Sequence, residues 1–166
     1  MSTTALLLRI TKALCLTGLA LMSMLIVTDN VTDYDTNYYF VAHVLKMDTT
    51  FPGNHLMYRS IANPLLYHTA YIGIIVLEAA MAACCATGSW RLWKNLKREA
   101  PVFHAAKNWG IAGIVIGIGI WFVGFEVIGG EWFSMWQSPA WNGLAAAQRV
   151  LGFLMFTLLL LHLRDE

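Results

Sequence analysis

The stretch Trp90-Arg91-Leu92-Trp93-Lys94-Asn95-Leu96-Lys97-Arg98 stands between two long apolar runs. Its four cations, with Lys107 nearby, are opposed in that connection only by Glu99. The neighbouring connections have the opposite bias. Residues 29–63 hold Asp29, Asp33, Asp35 and Asp48 against Lys46 and Arg59, while Glu126 and Glu131 precede the last apolar run with no Lys or Arg before Arg149. Short connections rich in Lys and Arg stay on the cytoplasmic side of a membrane. The basic stretch therefore predicts a cytoplasmic middle connection, extracytoplasmic acidic ones and cytoplasmic termini, in agreement with Arg9, Lys12 and Arg164.

Composition supports a membrane rather than an aqueous setting. Of the 166 residues, 58% are hydrophobic and the mean hydropathy is +0.57, above the roughly 45–50% apolar content of a soluble domain. The apolar runs predict spans over 5–28, 64–87, 108–127 and 142–163, each close to the about 20 helical residues that cross about 30 Å of hydrocarbon. The fold class expected is all-α: a single membrane domain over 1–166, a four-helix bundle with a short extracytoplasmic surface helix between the first two spans. Arg9 and Lys12 precede the first run, but no small-residue cleavage site follows it, so it reads as a retained span. Pro64 suits the first turn of the second, and Gly88-Ser89 reads as its stop. Cys15, Cys84 and Cys85 lie inside apolar runs and read as buried free thiols.

Aromatic residues mark the expected boundaries. Trp90, Trp93 and Trp109 fall near one interface and Trp132, Trp136 and Trp141 near the other, where amphipathic rings are favoured. In the third span, Gly110, Gly117 and Gly124, with Gly113 between, would line one helix face and admit another backbone closely. The 29–63 connection, about 35 residues, is too long to be structureless in a compact protein. Its pattern Tyr38, Tyr39, Val41, Ala42, Val44, Leu45, Met47 predicts a short helix capped by Asp35 or Thr36 and ended by Thr49-Thr50-Phe51-Pro52-Gly53. The glycine- and tryptophan-rich connection 129–143 is expected to pack under that helix. Together they would form an extracytoplasmic cap, with Tyr38, Tyr39, His43, Trp132, Trp136 and Gln137 as the candidate partner interface.

Polar side chains inside spans are costly and mark sites worth weighing. Counted from the expected outer span ends, Glu78 lies about 21 Å in and Lys12 about 24 Å in, which predicts an ion pair between them. Arg149, about 10 Å in, is expected to meet Glu126 or Glu131, with an anionic headgroup or quinone-like ligand held by Arg149 and Gln148 as the sharper reading. His43, His55 and His68 fall on one side and His104 and His162 on the other, without the paired spacing of a metal or haem motif, so no metal site is predicted. Ser134 and Ser138 lack the setting of a nucleophile, and Gly117-x-Gly119 lacks that of a phosphate loop. Nothing converges on catalysis. No resident cofactor is predicted, haem and quinone having only this weak support, whereas a bound phospholipid is expected. The basic connection suits anionic lipid and needs no nucleic acid.

Two strings, Thr36-Asn37-Tyr38-Tyr39-Phe40-Val41-x-His43-Val44-Leu45-x-Met47-Asp48-Thr49-Thr50 and Gly130-Glu131-Trp132-Phe133-x-Met135-Trp136-Gln137-Ser138, carry a resemblance that covers nearly the whole chain. The chain resembles a bacterial family of small predicted integral membrane proteins carrying a domain of unknown function. That resemblance implies a four-span protein of the bacterial inner membrane and supplies no catalytic residue. The functional expectation is a non-catalytic accessory subunit, or an assembly or stability factor, of a larger inner-membrane complex, with a respiratory complex as one host. The alternatives are a small proton-coupled transporter or channel using Glu78 and Arg149, and a haem- or quinone-binding membrane protein.

Overall fold

The computed structural model describes residues 2–165, which form helices and turns with no strand among them. Helix α1 spans Thr3–Thr32, α2 Tyr34–Lys46, α3 Pro64–Asn95, α4 Ala100–Ala105, α5 Asn108–Ile118 and α6 Leu144–His162. Residues Gly119–Trp132 continue α5 as a π-helical segment. Four of these helical stretches, 3–32, 64–95, 100–132 and 144–162, are long and apolar enough to cross a membrane.

Local chemistry sets the helix ends. Ser2 caps α1 by accepting from the Ala5 amide at 3.1 Å, and Asn63 caps α3 by accepting from Leu65 at 3.0 Å. Helix α1 outruns the expected stop at residue 28. The Thr28 and Thr32 hydroxyls bond back to the carbonyls of Met24 and Thr28, both at 2.8 Å, so the polar tail stays helical. The single residue Asp33 then turns the chain into α2, which begins a turn earlier than its apolar pattern suggests and ends at Met47 in the left-handed region, φ 55°. Helix α3 does not stop at Gly88-Ser89 but runs two turns further to Asn95. Gly88 is a packing glycine, because a Cβ there would strike the Gly110 backbone of α5.

Helices α1 and α3 run antiparallel in a register fixed by three polar contacts. Asn30 meets Glu78 at 2.6 Å, Thr17 meets Ser89 at 2.7 Å, and Arg9 bonds the Leu96 carbonyl at 3.0 Å. The core between them and helices α5 and α6 is built from Leu16, Met81, Cys85, Leu92, Ile114, Leu154 and Leu161, all fully buried. Outward faces remain apolar: Phe156 is 79% exposed, and the most apolar window of each span is only 28–33% buried. Such continuous apolar surface fits a lipid solvent and would be a severe liability in water.

In α5, Gly110, Gly113 and Gly117 face the interior. A Cβ on Gly113 would come within 2.6 Å of the Cys85 sulfur, and one on Gly117 within 2.9 Å of Met81 and Leu154. Gly124 does not join this face. Hydrogen bonding changes to i→i+5 from Gly119, continuing to Phe133 N–H···O=C Ile128 at 3.0 Å, and each residue then takes a new azimuth. Gly119, Gly124 and Gly129 instead share the wall of an apolar cavity of about 330 Å³ facing α2 and α3.

Both connections at the α2 end fold together as a cap. The Gln137 side chain accepts from the Phe51 amide at 3.1 Å and from Asn54 at 3.3 Å, and the Thr49 and Ser138 hydroxyls meet at 2.7 Å. The Arg59 guanidinium lies 4.6 Å over the Trp132 ring and bonds its carbonyl at 3.3 Å.

Candidate functional site

Buried polar groups gather at two levels of the bundle. The first is the end carrying the basic connection and the chain ends. There the fully buried Lys12 ammonium bonds Asp165 Oδ1 at 2.5 Å and the Leu163 carbonyl at 2.6 Å. Lys107 pairs with the same carboxylate and donates to the Leu161 carbonyl at 2.7 Å. Arg9 closes the group through the carbonyls of Leu96 at 3.0 Å and Arg98 at 2.6 Å. Burial pushes the Asp165 carboxyl up, but Lys107 and Lys12 overrule it and hold it below the usual carboxylate range. This cluster ties α1, the α4–α5 junction and the segment after α6 together.

The Lys12–Glu78 pair expected from helix counting does not form. Counting assumed flush helix ends at residues 28 and 64, whereas α3 begins well beyond the end of α1 and meets it at Asn30–Glu78. Lys12 is thus 18 residues, about 27 Å, along α1 from the level of Glu78. Asp165 takes the place that Glu78 was expected to fill.

The second level is an open cavity of about 310 Å³ with a mixed polar and apolar lining drawn from α1, α2, α3, the π segment and α6. Glu78, only 4% exposed, accepts from Asn30 Nδ2 at 2.6 Å through Oε2. Asn30 Oδ1 in turn accepts from Asn37 at 2.7 Å and from the Tyr71 hydroxyl at 3.2 Å, and that hydroxyl also reaches the Asn30 carbonyl at 3.1 Å. Every group orienting the carboxylate is neutral. Its other oxygen, Oε1, receives no hydrogen bond from the described residues, although Glu78 lines the cavity. Arg149 lines the same cavity from α6, and Asp29 lines it from α1. On the floor side lie the fully buried Met81, Cys85 and Leu154.

Arg149 makes no ion pair or hydrogen bond among the described residues, so the expected contact with Glu126 or Glu131 is absent there. The π segment gives Glu126 an azimuth different from that of a continuous α-helix, and one Glu126 oxygen is buried without a partner among the described residues. The histidines stay apart. His43 stacks on Trp141 at 4.5 Å and bonds Asp48 at 2.8 Å, while His68 bonds the Tyr34 hydroxyl at 2.9 Å and stacks on Tyr38 at 4.2 Å. Of the expected interface residues, Tyr38, His43 and Gln137 are thus engaged within the cap, whereas Tyr39, Trp132 and Trp136 are exposed.

Residues 8–164 match the family model described as predicted small integral membrane protein (DUF2165). The chain belongs to this family. No curated protein and no solved structure matches it significantly. Membership agrees with the four apolar helices, and a helical bundle fits a multi-pass protein of the inner membrane, since outer-membrane proteins span as β-barrels. In this family member, Asn30, Asn37, Tyr71, Lys107 and Asp165 are polar site residues that spacing alone did not single out. Asn30 and Asn37 are seven apart, a repeat that would mark one helix face only if the chain did not break between them at Asp33.

Proposed function

We propose that the protein is a non-catalytic accessory subunit, or an assembly or stability factor, of a larger bacterial inner-membrane complex. One observation carries this reading: the cap uses its polar groups internally and turns aromatic side chains outward. Gln137, Thr49, Ser138, His43 and Asp48 are satisfied within it, while Tyr39, Phe51, Trp132 and Trp136 are about half exposed and Tyr58 is 75% exposed. Rigid aromatic surface of this kind is what hot spots of protein interfaces are made of. The charge pattern places the cap outside the cytoplasm and both termini inside. The partner surface is therefore extracytoplasmic.

Purification of the tagged protein from native membranes in mild detergent, followed by mass spectrometry, tests the reading. A stoichiometric partner protein is expected, and a Tyr58→Ala/Trp136→Ala double variant should lose it while the chain stays in the membrane. A solitary chain, or a partner indifferent to the double variant, would contradict the proposal. A proton-coupled carrier working through Glu78 has less support, because fully buried apolar side chains close the bundle between that carboxylate and the opposite end.

A further inference from the structure

Arg149 has two surroundings. On one side it lines the open cavity with Glu78, Asn30 and Asp29. On the other it heads an apolar groove of about 450 Å³ between α1 and α6, lined by Cys15, Gly152, Phe153, Phe156 and Leu160. The groove follows α6 from Gln148 to Leu160, 12 residues or about 18 Å, close to the about 15 Å depth of one leaflet's hydrocarbon. Gly152 leaves it open: a Cβ there would meet nothing within 4 Å.

We propose that the cavity and the groove together bind one zwitterionic phospholipid with a primary-amine headgroup, of the phosphatidylethanolamine type. Its phosphate pairs with the Arg149 guanidinium, its ammonium donates to the free oxygen of Glu78 with Asp29 beside it, and one acyl chain lies in the α1–α6 groove. Charge complementarity selects this lipid. Within one chamber a fixed cation at the groove's head matches the phosphodiester, and a carboxylate oriented only by neutral carboxamide groups is left needing a cation. Phosphatidylglycerol supplies no ammonium, and the quaternary ammonium of phosphatidylcholine has no N–H to donate. Glu78 is about 27 Å from the Lys12 level, within the cap-side leaflet of an about 30 Å hydrocarbon layer. The groove descends from the Arg149 end along α6 to Leu160, three residues before Leu163, whose carbonyl accepts from Lys12, so an acyl chain in it runs toward the basic end of the bundle.

The test uses the full chain purified in mild detergent. It is exchanged into nanodiscs holding equal phosphatidylethanolamine, phosphatidylcholine and phosphatidylglycerol with identical acyl chains, then released for native mass spectrometry. The wild type is expected to retain one phospholipid per chain, favouring phosphatidylethanolamine by about tenfold or more over each competitor, the yield of one charge-assisted hydrogen bond. Glu78→Gln should retain lipid but bring that preference close to unity. Arg149→Gln should lose retention of all three. Gly152→Phe fills the groove without touching a polar group, so it should also lose all three with helical content unchanged, and it decides the matter if Glu78→Gln fails to fold. Equal retention of the three lipids by the wild type, or full retention by Gly152→Phe, would overturn the proposal. Soluble phosphoethanolamine displacing the lipid would do so too, since the headgroup alone would then suffice. Because retention is read on the isolated chain, the outcome does not depend on whether a protein partner exists.

Discussion

Lys12 shows how a single residue can be read correctly in kind and wrongly in partner. A lysine inside an apolar run needs a counter-charge, and it has one, but the carboxylate comes from Asp165 rather than Glu78. Sequence spacing shows that a cation is buried; it cannot show which of several carboxylates reaches it, because that depends on how far the helices are offset. Asn30 and Tyr71 were illegible for the same reason, since their role exists only once α1 and α3 are in register. Among the described residues Asp165 is the sole carboxylate paired with the cations Lys12 and Lys107, so Asp165→Asn leaves buried charge uncompensated and should cost about 3–5 kcal/mol. The sign with pH follows from its lowered carboxyl. The folded value lies below the unfolded one near 3.9, so the stabilisation is complete above about pH 4 and is lost as pH falls through the folded value. Thermal unfolding in detergent should show a Tm gap between wild type and Asp165→Asn that is flat from neutral pH down to about 5 and narrows in stronger acid. A gap that widens on acidification would contradict the pairing.

The four spans were legible as elements because apolar length alone identifies them, and α2 was legible from its helical apolar period. Their ends were not. Gly88 looked like a stop and is instead the crossing point of α3 with α5, a role that only the facing Gly110 reveals. Gly124 looked like part of a seven-residue stripe, but the stripe presumes 3.6 residues per turn throughout, and the π segment breaks that period at Gly119. The crossing predicts an asymmetry between glycines. Gly88→Leu drives α3 off the α5 backbone at Gly110 and should destabilise by at least about 1–3 kcal/mol, the cost of overpacking a core. Gly18→Leu, whose Cβ meets nothing within 4 Å, should be neutral or stabilising in a helix facing lipid. Detergent melts of both variants check the pair, and equal losses would show that the α3–α5 contact does not limit stability.

At the scale of the whole molecule, the two ends do different work. One end is closed by the Lys12–Asp165–Lys107 cluster beside the basic connection, and the other is opened by a cavity beneath an aromatic cap. Charge asymmetry between the connections supports the proposed extracytoplasmic side for the cap. A cysteine placed at Tyr58 should therefore react with a membrane-impermeant maleimide in intact cells, and one placed at Lys97 only after permeabilisation. The reverse pattern would invert the proposed topology. The cap was foreseeable from loop composition, whereas the cavity was not, since its walls come from five separate stretches of chain.

Whether the cap meets a protein is decided most directly in living cells by a photo-crosslinking residue at position 58, with the same residue at the lipid-facing position 156 as its control. A single discrete protein adduct from position 58, absent from position 156, is the expected result. No adduct from position 58, or the same adducts from both positions, would contradict a partner-docking role.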